Sequence, residues 1–519
     1  MVRCHPDHGS AGGGAVRVQS ESYAPYSVVR RVGIRAEIAI IDADAKPNAS
    51  ASSAFTMPLS SPAETIDDIK VETTAFATLE RNAWVLDGSC ALMDSTASGL
   101  GWWSSPVSGD DGTFDGECSI VYDFAVDTKT IGLVFTFMYG YQPAVGGMRI
   151  RAYDSGGAVV ADVVNTDQTA VQTVVFSAIY RKLRIDFTKT ALPGRRIRFL
   201  EMDFGLIQRF DEDQIADCEI RYKVDFAAAS LPYGECSLTL DNSDRRWNLL
   251  NPSGIYQYME EGQKITVWMP VNGEDVFMGA FSFRSVEARD GALTAKMTTA
   301  DVIASLDDTA FNGGRCAAAS LSDAVSEVLF GTGIECVFAD GVGEETVMMS
   351  IPQNTTRREA VRLLAQAARA CVYAERDGNL RFCRPSLDSG DDDINDITPN
   401  ELYNYDGITI SEPVGILRLV VKDEYSDTEI TYTAGAAGRE MTVNNPCVAS
   451  ENGDAAAAWL LSKYARRKQY NVKNRCDPAL ELFDTVRISD AYGQNDAALI
   501  TGITVKYNGG LSAETEAVG

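Results

Sequence analysis

The chain has 519 residues, of which 45% are hydrophobic and 23% charged, an ordinary globular composition. Because a single hydrophobic core stops growing near roughly 250–300 residues, we expect several domains. The formal net charge is −27, from 73 acidic and 46 basic residues. Such a surface repels phosphate, so specific nucleic-acid binding would need a strong local basic patch. The two short basic runs, 195–198 and 466–468, lie in strand and helix patterns, and we interpret them as solvated faces.

Cysteine and histidine usage excludes several kinds of site. The 11 cysteines contain no Cys-x-x-Cys pair, which favours reduced, mostly buried thiols and assembly in a reducing cytoplasm. The two histidines, His5 and His8, lie in a Gly- and Ser-flanked terminus; a metal clasp with Cys4 is less favoured there than a loosely ordered segment. Histidine catalysis and histidine metal sites are therefore not expected in the later domains. We predict no cofactor.

No membrane insertion is predicted either. The N-terminus lacks the apolar core of a signal peptide, and no run approaches the roughly 18–20 apolar residues that a bilayer span requires.

The first predicted elements are strands. Apolar residues alternate with others from Val32 to Ile40, which indicates a strand with one buried face, and a return strand is expected at 55–59. A break at Ser60-Ser61-Pro62 ends this part, so we assign residues 1–65 to the N-terminal part of a first barrel.

Residues 66–205 behave as a separate unit. Short strand patterns alternate with Gly- and Asp-rich turns, and no helical period is present, which predicts an antiparallel sandwich or jelly roll. The one-sided strand pattern then returns most clearly at 218–226, so we assign 206–310 to the same first barrel. The sandwich is thus predicted to be inserted at an exposed loop tip.

Helical periods appear next, in a small α/β module at 311–385. Ser320 and Thr356 are predicted N-caps, the second with a capping-box Glu359, and 376–379 is a predicted hairpin turn. Residues 386–519 form a second β-rich region, with an acidic, solvated loop at 388–396 and a helix opening at Asp454. The predicted fold class is mainly β with a small α/β module: two tube-like β-barrel domains plus an inserted β-sandwich jelly roll.

Several motifs carry a family resemblance. Residues 475–488, with Asp-Pro-Ala-Leu-Glu at 477–481, and residues 503–513, with Tyr-Asn-Gly-Gly-Leu, resemble the closing strands of phage tail baseplate hub proteins. Residues 238–248 and the segment from Leu363 into Asp-Gly-Asn-Leu at 377–380 are similar to further motifs of that family. Phe483 stands where the family pattern has glycine, so a different turn is expected there.

The resemblance covers residues 1–60 and 206–519 and carries expectations of its own. It implies two barrels per subunit and a homotrimer whose six barrels continue the tail tube within the virion. It also implies contacts with distal tail and tail-tube proteins, the tape measure and tip proteins.

The insert resembles discoidin-like jelly rolls, on residues 78–89, 101–104 and 196–205, and such folds commonly bind sugars. A sugar site needs aromatic faces with nearby polar groups. The candidate residues for binding a host surface glycan are Trp102, Trp103, Tyr139, Tyr141, Arg149 and Asp154. The alternative is that Trp84 and at least one of the Trp102–Trp103 pair fill the sandwich core. A calcium ion could bind Asp110, Asp111, Asp115 and Glu117, but we favour a plain acidic turn as the interpretation of these residues.

The function predicted from these patterns is structural and non-enzymatic: a ring-forming subunit of a tail tip, with an acidic bore expected from the net charge. A carbohydrate-binding adhesin is the first alternative. A polysaccharide hydrolase using paired carboxylates is the second, although 73 acidic residues do not single out a pair. No Walker loop, nucleophile elbow or His-Glu-x-x-His motif is present.

Overall fold

The computed structural model describes residues 30–41, 45–66, 80, 99–137, 145–248, 251, 259, 261–312, 317–387, 395–397, 402–423, 428–489 and 495–519. Strands make up 51% of the chain and helices 12%, which confirms the mainly β prediction. The chain divides into two compact units, one comprising Ile38–Gln208 and the other Met1–Glu37 with Arg209–Gly519. No helix in the part of the chain just defined is long and apolar enough to span a bilayer.

The unit Ile38–Gln208 is built from antiparallel strands. Its elements and those at its borders are β1 (Arg35–Ile41), α1 (Ala45–Asn48), β2 (Ala49–Ser52), β3 (Trp102–Trp103), β4 (Ser119–Phe137), β5 (Gly147–Tyr153), β6 (Val159–Asn165), β7 (Val171–Lys189) and β8 (Arg198–Asp211). The two 19-residue strands, β4 and β7, pair along most of their length, and β5 pairs with both β6 and β7. Their inward side chains form one aromatic-rich core, which includes Phe135, Tyr180 and Phe199. This is the predicted sandwich.

The boundary of this unit differs from the predicted one. Residues 45–65 were assigned to the first barrel, yet β2 pairs with β4, and Thr56 bridges Ser104. The serine- and proline-rich stretch is a packed 3-10 turn, Pro62–Ile66, whose buried Thr65 hydroxyl lies 2.7 Å from the Tyr122 hydroxyl. A buried turn and an exposed linker are both rich in serine and proline. The composition of residues 60–62 therefore did not show that this stretch packs within the sandwich.

The first strand group of the larger unit corresponds to the predicted first barrel. It contains β9 (Ile215–Lys223), β10 (Glu235–Asp241), β11 (Lys264–Val271), β12 (Glu274–Glu287) and β13 (Thr294–Ala300), followed by α2 (Val302–Ser305). Consecutive antiparallel pairings run β11–β12, β12–β13, β13–β10 and β10–β9. Just before β1, Gly33 donates its N–H to Pro270 of β11 at 2.9 Å, so the N-terminal segment joins this group.

The α/β module follows. Its elements are β14 (Ala310–Phe311), β15 (Ala318–Ser320), α3 (Leu321–Val328), β16 (Cys336–Phe338), β17 (Thr346–Met348), β18 (Thr355–Thr356), α4 (Arg357–Ala367), β19 (Cys371–Ala374) and β20 (Leu380–Cys383). Ser320 and Thr356 are N-caps as predicted, each accepting a backbone N–H three residues later. Both helices bury an apolar face in a shared core with Phe382 and Val372.

The remaining elements are β21 (Asn395–Ile397), β22 (Leu402–Ile410), β23 (Val414–Asp423), β24 (Thr428–Gly435), β25 (Arg439–Asn444), α5 (Gly453–Tyr464), β26 (Lys468–Asn474), β27 (Thr485–Ser489), β28 (Asn495–Tyr507) and β29 (Leu511–Val518). The sequence assigned all of them to a second barrel. However, β23, β24 and β25 form a separate sheet. Leu417 and Leu460 pack in the same core as α3 and α4, so residues 414–464 extend the α/β module. The acidic loop at 388–396 lies outside the described residues except for Asn395 and Asp396.

One strand pair joins the two strand groups. β28 pairs with β29, which pairs with β26, which pairs with β22. On its other edge, the second half of β28 pairs with β9 of the first group, with Val505 opposite Ile220 and Lys506 opposite Glu219. The strands β13, β10, β9, β28, β29, β26 and β22 therefore form one continuous antiparallel sheet across the two predicted barrels.

A buried arginine of the α/β module forms hydrogen bonds to both strand groups. Arg376 occupies the turn between β19 and β20, and its guanidinium donates to Phe277 O at 3.0 Å, Pro478 O at 2.8 Å and Leu480 O at 2.7 Å. Glu481 lies 3.5 Å from its Nε. The acceptors belong to β12 and to the Asp-Pro-Ala-Leu-Glu motif, so this side chain connects three distant segments.

The turn after that motif contains Phe483, which replaces the glycine of the family pattern. Phe483 has a φ of 67°, the left-handed conformation that glycine adopts without steric cost. Its buried ring lies 5.6 Å from that of Tyr373 and 6.3 Å from that of Phe226. The backbone at Phe483 thus keeps the φ typical of glycine, so this torsion does not show the different turn that we expected. The Phe483 ring packs beside the turn.

We predict that Arg376→Met lowers the free energy of unfolding of the larger unit by about 3–5 kcal/mol, because three buried carbonyls and Glu481 lose their cationic partner. Arg381→Met is the matched control, since Arg381 lies on the same hairpin in a half-exposed pair with Glu375 at 3.0 Å. Urea denaturation of the full-length variants measures both changes. Equal losses in the two variants would contradict the connecting role of Arg376.

Candidate functional site

The predicted sugar-stacking residue Trp102 lies in the core of the sandwich. It is 0% exposed, its Nε1 donates to Thr56 Oγ1 at 3.1 Å, and its ring stacks on Phe187 with the centroids 5.5 Å apart. An indole whose faces are already covered cannot receive a pyranose ring. The predicted sugar contact at Trp102 is therefore wrong, and the residue is part of the core.

Trp103 is buried in the same way. It is 1% exposed, its Nε1 donates to Leu100 O at 3.1 Å, and the Arg198 guanidinium carbon lies 4.1 Å from its ring centroid. Arg198 in turn pairs with Glu80 at 2.7 Å, and both of these side chains are 1% exposed. A carboxylate, a guanidinium and an indole thus stack in the interior, so the predicted sugar contact at Trp103 is also wrong.

Trp102 and Trp103 follow glycine residues in the sequence, and for this reason they were predicted to lie in an exposed loop. Gly101 has a φ of 71°, and a Cβ there would lie 2.2 Å from Phe199 O. The glycine therefore serves the close approach of β3 to β8. Glycine is favoured both where two backbones pack closely and in exposed turns. The sequence alone does not distinguish these two environments.

The other described candidates are not brought together. Arg149 lies near the start of β5 and forms a bidentate pair with Asp162 of β6, at 2.7 and 2.6 Å. Asp154 follows the end of β5 and accepts the N–H groups of Gly156 at 2.9 Å and Ala158 at 2.8 Å, which caps the turn into β6. Five residues of extended chain separate the two candidates by about 16 Å. Tyr139 and Tyr141 lie outside the described residues.

The calcium candidates are engaged with protein groups. Asp111 accepts the N–H of Thr113 at 2.9 Å and its hydroxyl at 2.6 Å, and these hydrogen bonds lower the pKa of Asp111. Glu117 pairs with Arg184 and accepts the Ser119 hydroxyl at 3.2 Å. Within the described ranges, which include Asp110 and Asp115, no group of three or more His, Cys, Asp or Glu side chains is placed to hold a metal ion. The four residues are therefore not arranged as the calcium alternative requires.

A surface that the sequence analysis missed is the polar face of the continuous sheet. It comprises the outward residues of β13, β10, β9, β28, β29 and β26, which are mostly polar; Val518, at the end of β29, is an apolar exception. The charged members are Asp217, Glu219, Arg221, Lys223, Glu235, Asp241, Lys296, Lys473, Lys506, Glu514 and Glu516. The alternation of polar and apolar residues within each strand could be predicted from the sequence. The order of the strands, which makes one surface of them, was not.

This polar face is close to neutral although the whole chain is strongly acidic. It carries six carboxylates and five cations, and some of these charges pair across strands: Lys506 lies 3.1 Å from Glu219, and Lys223 lies 3.3 Å from Glu516. Between β9, β10 and β13 the face holds a groove of about 470 Å³, lined only by polar residues. Without an aromatic or aliphatic wall, this groove does not resemble the mostly apolar sites that bind small molecules.

Structural comparison finds similarity to tail proteins. The 43 kDa tail protein of prophage MuSo2 from Shewanella oneidensis matches 60% of this chain and 95% of its own, at 16% identity and a TM-score of 0.43. The tail protein from Neisseria meningitidis MC58 matches 60% and 94%, at 13% identity and a TM-score of 0.45. No family model matches the chain, and no curated protein matches its sequence.

Part of the chain is similar to a carbohydrate-binding module. The family 32 module of NanJ from C. perfringens, solved with galactose, matches 32% of this chain and 98% of its own, at 14% identity and a TM-score of 0.21. With TM-scores below 0.5, these likenesses do not transfer an activity or a ligand to this chain.

We predict that Glu80→Gln destabilises the unit Ile38–Gln208 by about 3–5 kcal/mol, because it leaves the buried Arg198 guanidinium without a counter-charge. Asp162→Asn, which breaks the exposed pair with Arg149, is the control and should change stability little. Hydrogen exchange of the β4 and β8 amides in the full-length chain measures both effects. Unchanged protection in Glu80→Gln would contradict the structural role assigned to the Glu80–Arg198–Trp103 stack.

Proposed function

We propose that this chain is a non-enzymatic structural subunit of a phage-type tail, placed at the tail tip or baseplate hub. The observation that carries the proposal is the pairing of β9 with β28, which joins the two motif-bearing strand groups into one sheet. A protein that must transmit load through an assembly benefits from such continuity, since no flexible linker separates the two groups. Virion localisation follows from the proposal.

The roles of the family-like motifs support a structural function. In the motif at 238–248, Asn242 Oδ1 accepts the N–H of Trp247 at 3.0 Å, and the Trp247 side chain is fully buried. In the motif at 477–481, Asp477 Oδ1 accepts the N–H of Ala479 at 2.9 Å, and two carbonyls face Arg376. The polar groups of these motifs form turns and junctions and are not collected in a reactive cleft.

The proposal includes assembly of three copies into a ring that continues the tail tube and contacts other tail proteins. We place the polar face toward the enclosed channel, because its residues are mostly polar and offer little apolar area to bury in an interface between subunits. The channel wall would then be nearly neutral, which differs from the acidic bore expected from net charge. A wall with nearly equal numbers of carboxylates and cations has little net attraction for passing DNA phosphates.

We do not extend the proposal to host attachment or polysaccharide hydrolysis. Both tryptophans expected to stack on a sugar are buried, and Arg149 and Asp154 lie at different ends of β5.

The mass of the purified full-length chain in solution tests the proposal. Sedimentation velocity at several concentrations should show a species of three 56.2 kDa chains. Lys223→Glu should leave that mass unchanged, because the residue is placed in the channel wall and not between subunits. A single-chain mass at every concentration would overturn the ring, and dissociation by Lys223→Glu would overturn the assignment of the polar face.

A further inference from the structure

Two cysteines face each other across the hairpin formed by β19 and β20. The strand register places Cys371 directly opposite Cys383. Glu375 donates its N–H to Asn379 O at 2.8 Å, and because paired positions alternate, Cys371 and Cys383 also form a hydrogen-bonded pair. The Cα atoms of such a pair lie about 5.5 Å apart, within the roughly 4.4–6.8 Å that a disulfide spans. The two side chains project to the same face of the hairpin, and closing a bond between them requires their Cβ atoms to approach from about 5.5 Å to within about 4.5 Å.

The two thiols differ in access. Both are free in this structure, Cys371 is buried, and Cys383 is partly exposed. The Cys371 thiol donates to Phe226 O at 3.4 Å, which holds it beside the hairpin. Of the two residues, Cys383 is the less buried, with Cys371 positioned as the second thiol.

A lysine lies near both sulfur atoms. Burial raises the pKa of Cys371 well above its ordinary value and that of Cys383 to about 12, and the positive charge of Lys463 opposes both shifts. Lys463 Nζ is held 3.9 Å from the Phe226 ring centroid and 3.4 Å from Pro385 O. Because the thiolate is the attacking species in disulfide exchange, Lys463 is placed to favour the reaction.

We propose that Cys371 and Cys383 are a reversible modification site, which closes to a cross-strand disulfide under oxidising conditions and reopens under reducing ones. With oxidised glutathione, one cysteine thiolate attacks the glutathione disulfide, forms a mixed disulfide and releases one glutathione thiolate. The second cysteine then attacks the protein sulfur of that mixed disulfide and releases the other glutathione. The protein loses two electrons and two protons, and one glutathione disulfide becomes two glutathione thiols.

The site has a structural consequence that does not depend on the proposed function. The hairpin of β19 and β20 carries Arg376 in its turn, between the two cysteines. A bond between them restricts the unfolded conformations of this segment, so the oxidised chain should hold the Arg376 junction more firmly. A subunit assembled under reducing conditions would thus gain stability after release into oxidising surroundings.

The test uses the full-length chain incubated with oxidised glutathione, then denatured, alkylated and mapped by mass spectrometry. We expect a linked Cys371–Cys383 peptide that disappears after reduction with dithiothreitol. Cys218→Ser is the matched control, because Cys218 contacts Cys236 in another close thiol pair. It should leave the Cys371–Cys383 link intact. Lys463→Gln should slow formation of the link by about threefold or more.

Two results would overturn the inference. One is recovery of Cys371 and Cys383 as alkylated thiols or as separate glutathione adducts. The other is linkage of either residue to a different cysteine. If Cys218→Ser does not fold, the wild-type map still decides the question, because a Cys218–Cys236 link yields different peptides.

Discussion

The pairing of β9 with β28 is the constraint on which the larger unit depends. It pairs two strands that are separated by more than 270 residues of sequence. Closing such a long loop costs conformational entropy, which burial of apolar side chains at the pairing must offset. The inward side chains supply it: Cys218 and Ile220 of β9 and Val505 and Tyr507 of β28 are all almost fully buried. Arg376 fixes the same region from a third segment of the chain. Strand pairing, burial of apolar side chains and the hydrogen bonds of Arg376 therefore all stabilise the region where the two strand groups meet.

The continuity of the sheet organises the surface as well as the core. Alternation in each strand sends apolar side chains inward and polar side chains outward. Because six strands follow one another without a break, their outward residues form one nearly neutral face on a chain of net charge −27. The excess of acidic residues must therefore lie elsewhere. For a subunit of an assembly, the distribution of charge among faces is more informative than the total.

Local structure followed from the sequence where the controlling interactions are local. The alternation at 218–226 predicted β9, and Ser320, Thr356 and the turn at 376–379 were identified by their capping and turn chemistry. Partners distant in the chain were not predicted. Period-two patterns show which face of a strand is buried but not which strand covers it, so residues 45–65 and 414–464 were assigned to the wrong neighbours. The β9–β28 pairing was missed for the same reason.

The candidate sugar site shows a second limit of sequence analysis. Trp102 and Trp103, flanked by glycine, satisfy the composition of both a binding loop and a tightly packed core strand. Only the positions of Phe187 and Arg198 against their rings decide between the two. Likewise, the acidic residues around Asp111 have the composition of a calcium loop, yet their oxygens accept hydrogen bonds from the protein itself.

Native-state hydrogen exchange at increasing denaturant concentration tests the continuous sheet most directly. If β9 and β28 form one cooperative structure, the amides of residues 218–222 and 503–507 should open together, with the same free energy and the same denaturant dependence. Separate opening of the two strands, with one group exchanging while the other stays protected, would contradict the account.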